Sequence, residues 1–193
     1  MVRDILHSPA TSSARLAPVE PRLAPLFCLL LLTAACALAS FAFACATPFA
    51  AFAVVAAAML PLRSALAVAT AAWIVNQGIG FGFLGYPVDA NTILWGLAIG
   101  LAALVATATS VLVLRSLQRT TGFAAMGLAW IGAYAAYELV LFAATPILGG
   151  AGAFALAIVG RLGVLSMLWL IGLIAACEAF RLLNPIRRRQ IAS

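Results

Sequence analysis

The sequence predicts an all-α integral membrane protein with six transmembrane helices, with both chain ends on the cytoplasmic side. The chain is 66% hydrophobic and only 8% charged, which is far outside the composition of a soluble domain. Its 193 residues accommodate six spans of about 20 residues each and leave no mass for a soluble domain. The charges are placed as six crossings require.

All eleven basic residues are arginines, and ten of them lie in the two tails, in one tight turn or in one loop. These ten are Arg3, Arg15, Arg22, Arg63, Arg115, Arg119, Arg181, Arg187, Arg188 and Arg189. Six crossings that start in the cytoplasm place every one of them inside, in agreement with the positive-inside rule, whereas an odd number of crossings does not.

Proline, glycine and polar residues separate the predicted elements. The predicted spans are residues 23–45, 49–60, 64–84, 91–114, 122–144 and 153–183. Thr47-Pro48 turns the chain after the first span, and Asn184-Pro185 ends the last one. Residues 85–90 and 145–152 are predicted outer loops, and residues 115–121 an inner loop. A disordered cytoplasmic tail (1–22) therefore precedes a single transmembrane domain (23–183), and a basic cytoplasmic tail (184–193) comes after it.

The second span is too short to cross a bilayer upright, because 12 residues of helix extend only about 18 Å. It is a thin or tilted crossing, or a re-entrant segment. A re-entrant segment would reverse everything downstream and place Arg115 and Arg119 outside. We therefore predict a crossing.

Small residues predict close packing of the first helix. Ala35 and Ala39 form a small-xxx-small pair, which allows two helices to approach closely in lipid. The pair indicates either packing within the chain or a docking face for a separate membrane subunit.

Three predicted helices carry polar side chains at one level in the outer half of the membrane. Glu138, Arg161 and the Asn76-Gln77 pair each lie about 10–12 Å from the outer end of their helix. Because such groups are costly in lipid, they indicate either function or structural pairing. Glu138 and Arg161 are candidates for a buried ion pair, which would be structural or functional.

Aromatic side chains accompany that polar level. Trp73 precedes Asn76 by about one turn, Tyr134 precedes Glu138, and Tyr86 and Trp95 flank an outer loop. That loop also carries Asp89 and Asn91. An interfacial aromatic belt accounts for Tyr86 and Trp95 but not for the deeper Tyr134. Aromatic residues with a few polar groups predict a small-molecule pocket open to the outside.

Missing residue types argue against an enzyme. His7 is the only histidine, there is no lysine, and Asp and Glu together number five. Ligation of haem by two histidines, a zinc protease, a Ser-His hydrolase and a Walker A ATPase are thus excluded. The four cysteines form no CxxC pair, and Cys45 is the one candidate for a soft ligand. We predict no catalytic residue, no catalytic cofactor, no metal site and no nucleic-acid partner.

Six helices, both ends inside, a small-xxx-small pair on the first helix and an outward pocket together resemble the substrate-binding S components of energy-coupling-factor (ECF) vitamin transporters. The resemblance covers residues 23–183. The stretch 73–87, with Asn91-Thr92 and Trp95-Gly96 after it, is similar to the third and fourth helices of the solitary proteobacterial cobalamin-type members. The cobalt-ligating cysteine of that branch is absent, and Asn76 or Gln77 occupies its region.

The resemblance implies a non-enzymatic protein of the bacterial inner membrane that binds a vitamin, most closely cobalamin or a related cofactor, from outside. It implies toppling in the membrane on docking to an ECF transmembrane subunit driven by two ATPases, or function as a solitary protein. It assigns docking to Ala35 and Ala39. The implied pocket residues are Trp73, Asn76, Gln77, Tyr86, Asp89, Asn91, Trp95, Tyr134, Glu138 and Arg161. A corrinoid, a thiamin-sized vitamin and a metal chelate all suit these side chains.

Two other functions are compatible with the sequence. The first is a structural subunit of a larger membrane complex, for which the aromatic level would face a partner. The second is a small membrane enzyme, or a secondary carrier that uses Glu138 as a proton-coupled carboxylate. Carriers commonly contain an inverted repeat, and residues 23–85 and 91–183 show no convincing repeat.

Overall fold

A computed structural model describes residues 15–43, 46–120 and 122–183, and all regular structure in these ranges is helical. The helices are α1 (Ala24–Phe43), α2 (Phe49–Met59), α3 (Leu62–Gly82), α4 (Ala90–Ser116), α5 (Gly122–Leu148) and α6 (Leu156–Leu183), with a 3-10 segment (Ala151–Phe154) before α6. The five longer helices are apolar and long enough to cross a membrane. The all-α class is thus confirmed for the described residues, and the chain has the helices of a multi-pass membrane protein.

The end of α5 differs from the prediction. We predicted a loop from Thr145-Pro146 onward, but the helix continues to Leu148. Proline cannot donate the backbone hydrogen bond that Phe142 would normally accept. The Thr145 hydroxyl donates to the Phe142 carbonyl instead, at 2.8 Å, so the last turn keeps its hydrogen bonding. The helix stops at Gly149 and Gly150, whose positive φ angles of 80° and 81° suit glycine.

The short helix α2 forms the centre of the bundle. Ten of its 11 residues are buried, and it packs against all five longer helices. A helix that is apolar on every side is stable only when it is surrounded. Its alanines, at 50, 51, 53 and 56–58, let the neighbouring backbones approach closely.

Helices α1 and α3 run in the same direction. The Cys36 thiol donates to the Ala72 carbonyl at 3.0 Å, and Asn76 Nδ2 donates to Ser40 Oγ at 2.9 Å. A step of four residues along α1, from Cys36 to Ser40, therefore corresponds to a step of four residues along α3, from Ala72 to Asn76, so the two helices are parallel. Two parallel helices require that the connection between them brings the chain back to the end where α1 begins, and α2 makes that connection.

The loop before α2 explains how so short a helix returns. Thr47 Oγ1 accepts a hydrogen bond from Asn76 Nδ2 at 2.9 Å, as Ser40 Oγ does. The loop therefore descends to the level of Ser40, almost one turn below the end of α1 at Phe43. Helix α2 begins at that depth and has less distance to cover.

Residues 15–19, which we predicted to belong to a disordered tail, pack against the bundle, whereas residues 20–22 are exposed. The Arg15 guanidinium donates to the carbonyls of Leu114, Leu117 and Thr120, at 3.1, 2.5 and 3.2 Å. The backbone N–H groups of Arg15 and Leu16 both donate to the Ala58 carbonyl. Residues 1–14 lie outside the described residues, as does the basic segment 184–193, so for these the predictions stay predictions.

The contacts gather six arginines at one end of the bundle, which we call the arginine end. Arg15 joins the N-terminal segment to the α4–α5 loop and to the end of α2. The rings of Phe27 and Phe180, 4.8 Å apart, bring the start of α1 to the end of α6. The arginines of this end are Arg15, Arg22, Arg63, Arg115, Arg119 and Arg181. Arg161 lies near the opposite end, in the second turn of α6.

Candidate functional site

A cavity of about 340 Å³ lies toward the end opposite the arginines, which we call the pocket end. Its walls come from the α1–α2 loop and the start of α2, from α4, α5 and α6, and from the 3-10 segment. The lining is mostly apolar and aromatic and includes the side chains of Thr47, Tyr134, Tyr137, Glu138 and Ser166. A pocket open to the outside stays a prediction, and this cavity is the candidate for it.

Three of the ten predicted pocket residues line this cavity: Trp95, Tyr134 and Glu138. The other seven lie elsewhere. Trp73, Asn76 and Gln77 lie between helices, Tyr86, Asp89 and Asn91 belong to the loop before α4 or to its first turn, and Arg161 is exposed on α6.

Tyr134 is fixed by hydrogen bonds and stacking on the floor of the pocket. Its hydroxyl donates to the Val159 carbonyl of α6 at 2.6 Å. Its ring stacks on Trp130, with centroids 5.5 Å apart and an interplanar angle of 10°. Trp130 Nε1 donates to Ser166 Oγ at 3.1 Å. These bonds join α5 to α6 and hold the Tyr134 ring in a defined orientation.

Glu138 lies one turn after Tyr134 on α5 and is half-buried in the pocket wall. The Tyr134 hydroxyl oxygen faces its carboxyl group. Among the described residues no cation pairs with Glu138, whereas Glu178 and Arg181, near the other end of α6, form an ion pair at 2.5 Å.

The candidate ion pair between Glu138 and Arg161 is not formed. Val159 and Gly163 are the α6 residues that meet Tyr134. Arg161 lies midway between them, and residues two apart on a helix point in different directions. Its side chain is therefore directed away from α5 and is exposed.

Trp73 and Gln77 join α3 to α4 rather than lining the pocket. Trp73 Nε1 donates to the Gly96 carbonyl at 2.8 Å. A Cβ atom on Gly100 would lie 2.7 Å from the Trp73 ring, and one on Gly96 would collide with the Gln77 amide. Gly96 and Gly100 form a GxxxG pair, which we did not predict although its spacing is readable in the sequence.

Asn76 organises a buried polar network next to the pocket. Besides donating to Ser40 and Thr47, it accepts a hydrogen bond from Gln77 Nε2 at 3.0 Å. Of these residues Thr47 also lines the cavity. Asn76 therefore acts on the site through Thr47, as a positioning residue.

The loop before α4 does not reach the cavity. The Tyr86 ring covers Gly80, where a Cβ atom would lie 2.5 Å from the ring. Asp89 is the N-cap of α4 and accepts a hydrogen bond from the Thr92 backbone N–H at 2.8 Å. That bond holds the pKa of the Asp89 carboxyl below its usual range. Asn91 is exposed in the first turn of α4.

Ala35 and Ala39 pack within the chain. Ala39 has no exposed surface and Ala35 is 6% exposed. Ala35 contributes to an apolar groove of about 440 Å³ between α1 and α6, whose other residues include Leu31, Leu38, Leu168 and Gly172. The free surface near the predicted docking pair is this groove, not the Ala39 face.

Thr47, Ser166 and the 3-10 segment belong to the site but were not predicted from the sequence. Single hydroxyl residues in apolar helices are common and carry little signal by themselves. Ala153 and Phe154 line the cavity, and Phe154 meets Phe142 edge-on at 5.4 Å.

The described residues offer no obvious metal site. No three His, Cys, Asp or Glu side chains within them lie close enough to share an ion. Cys28, Cys36 and Cys177 are buried thiols, and Cys45 lies outside the described residues.

No family model, curated protein or solved structure matches this chain. The function is therefore inferred from the geometry of the pocket and its surroundings.

Proposed function

We propose that this protein is a membrane-embedded substrate-binding component, similar to an S component of a vitamin transporter, that takes up a vitamin-like molecule. The observation that carries the proposal is the cavity at the pocket end. It combines aromatic walls with one carboxylate and a few hydroxyl groups, as small-molecule sites do.

The charge distribution supports an orientation. The six arginines of the arginine end lie at one end of the bundle, and the cavity lies toward the other. By the positive-inside rule the arginine end faces the cytoplasm. The cavity then opens to the outside of the bacterial inner membrane, and the direction of transport is inward.

The size of the cavity limits which ligands can fit. At about 340 Å³ it lies near the lower limit of ordinary small-molecule pockets, roughly 300–1,000 Å³. Of the ligands compatible with the sequence, a thiamin-sized molecule fits this volume. A corrinoid would require the 3-10 segment and the helix ends to move apart.

Transport by this chain needs energy from elsewhere. Without lysine it has no Walker A motif. The ECF resemblance supplies two arrangements, a transmembrane partner with two ATPases or solitary function. For a partner, the α1–α6 groove offers more free surface than Ala39 does.

The first experiment is native mass spectrometry of the purified protein, with organic extraction to identify any bound molecule. Ala153→Trp blocks the mouth of the cavity, because Ala153 is an exposed lining residue. Ala155→Trp is the matched control, exposed two residues away and not part of the lining.

A small molecule that co-purifies with the wild type and with Ala155→Trp, but not with Ala153→Trp, is the expected result. Arg161→Ala is also expected to retain the molecule, because Arg161 does not line the cavity. A ligand retained equally by both tryptophan variants would contradict the proposed site.

The α1–α6 groove favours a second candidate, a structural subunit of a membrane complex. A transmembrane helix of a partner would fill an apolar groove flanked by small residues. This function predicts an empty cavity and a stoichiometric protein partner in mild detergent. Gly172→Trp, which fills the groove, would release that partner.

A further inference from the structure

We infer that the pocket selects a compact organic cation carrying an apolar or aromatic group. The inference rests on the proposed function and adds the charge class of the substrate. Its basis is the carboxylate in the cavity wall, the lack of a cation in the described lining and the aromatic residues that share that lining.

The charge balance of the cavity favours a positively charged ligand. Glu138 is half-buried in the cavity wall. The part of the lining that the structure describes contains no Arg, Lys or His, and Arg161 points away from it. An ionised carboxylate at this depth is costly without a counter-charge. A cationic ligand supplies that charge on binding, whereas an anion would meet Glu138 with no compensating group.

The aromatic residues favour the same charge. Five aromatic residues line the same cavity as the carboxylate: Phe49, Trp95, Tyr134, Tyr137 and Phe154. Aromatic ring faces carry partial negative charge and attract cations, most strongly where water is excluded. Phe49 and Tyr137 stack on one another, with centroids 6.3 Å apart. The stack gives the wall a rigid aromatic surface.

The hydrogen bonds of the lining engage Tyr134, Ser166 and Thr47. The Tyr134 proton is used on the Val159 carbonyl. Ser166 Oγ accepts from Trp130, and Thr47 Oγ1 accepts from Asn76. Beside the carboxylate and the aromatic rings, the lining thus offers hydroxyl groups, which can accept a hydrogen bond from a cationic ligand.

The test compares two probes of the same shape. Benzyltrimethylammonium is a compact aromatic cation, and neopentylbenzene is its uncharged isostere. Binding of each to the full chain in detergent is measured by quenching of intrinsic tryptophan fluorescence and by calorimetry. Phenylacetate serves as the anionic probe.

The wild type is expected to bind the cation at least about tenfold more tightly than the isostere. Glu138→Gln is expected to reduce that preference strongly, leaving only the contribution of the aromatic rings, while affinity for the isostere stays unchanged. Glu138→Asp keeps the charge and is expected to retain the preference in part. Arg161→Ala is the control on the same bundle and is expected to match the wild type.

Three results would overturn the inference: equal affinity for the cation and the isostere, tighter binding of phenylacetate, or no binding of the cation. Thermal unfolding of each variant decides whether Glu138→Gln is folded, and Glu138→Asp replaces it if it is not. The proposed function has a separate test, the identification of a co-purifying molecule by mass spectrometry. A neutral or anionic molecule lost in Ala153→Trp would uphold that function and contradict the cation.

Discussion

The two ends of the bundle satisfy their polar groups in different ways. At the arginine end, one guanidinium satisfies three backbone carbonyls at the end of α4, and the buried Leu16, Pro18 and Val19 cover the neighbouring helices. At the pocket end, Asn76 satisfies the hydroxyls of Ser40 and Thr47, but a cavity remains beside them. One end is closed by the chain's own N-terminal segment, and the other retains space for a ligand.

The difference arises from the connections between the helices. At the arginine end, α2 and α3 are joined by a tight turn and the N-terminal segment packs beneath them. At the pocket end, the α1–α2 loop descends into the bundle, and two glycines with positive φ lead into the 3-10 segment. The two ends therefore differ in their connections: the N-terminal segment closes one end, whereas at the other the α1–α2 loop and the 3-10 segment complete a cavity whose remaining walls are helical.

The largest effect is expected from Arg15→Ala. The substitution removes three hydrogen bonds from a charged donor to backbone carbonyls at the end of α4 and in the loop after it, and should lower the free energy of unfolding by about 3 kcal/mol. Thermal or denaturant unfolding in detergent measures it. Arg22→Ala is the control, because Arg22 is exposed, and should change stability by less than about 0.5 kcal/mol. Equal losses in both variants would show that the arginine end is not closed in this way.

Asn76→Leu is expected to act on both stability and the pocket. It leaves the Ser40 and Thr47 hydroxyls without their amide donor and should cost about 2 kcal/mol. Because Thr47 also lines the cavity, ligand affinity should fall as well. Gln77→Leu, which loses one bond to Asn76, is the matched comparison and should cost about 1 kcal/mol without an effect on affinity. Calorimetry with the co-purified ligand separates the two effects.

Gly150→Ala should destabilise the 3-10 segment by about 1 kcal/mol, because an alanine is strained at a φ of 81°. A Cβ atom there would meet Trp95 at an ordinary 3.6 Å, so the cost is conformational rather than steric. Gly160→Ala is the control: it lies within α6 with nothing near its Cβ, and should be neutral or stabilising by up to about 1 kcal/mol. Hydrogen exchange at residues 149–155 reports the change locally, and unaltered exchange in Gly150→Ala would argue against strain there.

The smallest effect is expected from Asp89 at the pocket end. The hydrogen bond from the Thr92 N–H lowers the pKa of Asp89 in the folded state. Its contribution to folding stability is therefore fully present above the unfolded pKa, about 4. The contribution is lost as the pH falls through the folded pKa. Asp89→Asn keeps an acceptor for the cap and should remove this part of the acid sensitivity. A thermal midpoint that falls equally in wild type and Asp89→Asn below that pH would contradict the assignment.

Much of the fold could be predicted from the chain alone. Long apolar runs set the helices to within a few residues, since backbone in lipid must satisfy its own hydrogen bonds. The error at the end of α5 came from Pro146, because the Thr145 hydroxyl replaces the missing hydrogen bond. That compensation depends on the rotamer of one side chain and is not visible in a pattern.

The site was predicted less completely. The depth of Tyr134 and Glu138 could be read from their distance to a helix end, and Trp95 was placed beside an outer loop; these three line the cavity. Asn76 and Arg161 lie at similar depth but face other directions. In a soluble protein, the polar side of a helix shows which side faces the solvent. In a membrane protein the lipid-facing side and the packed side are both apolar, so the sequence does not show which way a helix is turned.

Composition, span length and arginine placement therefore determined that this is a helical membrane protein with a charged end and an aromatic end. Each of these depends on transfer between water and lipid, which acts on single residues along the chain. The tertiary structure alone decided that α2 is the centre, that Arg161 faces away from Glu138 and that the N-terminal segment closes one end. Those outcomes depend on which helix faces meet, and packing among small residues in lipid is decided by shape rather than by polarity.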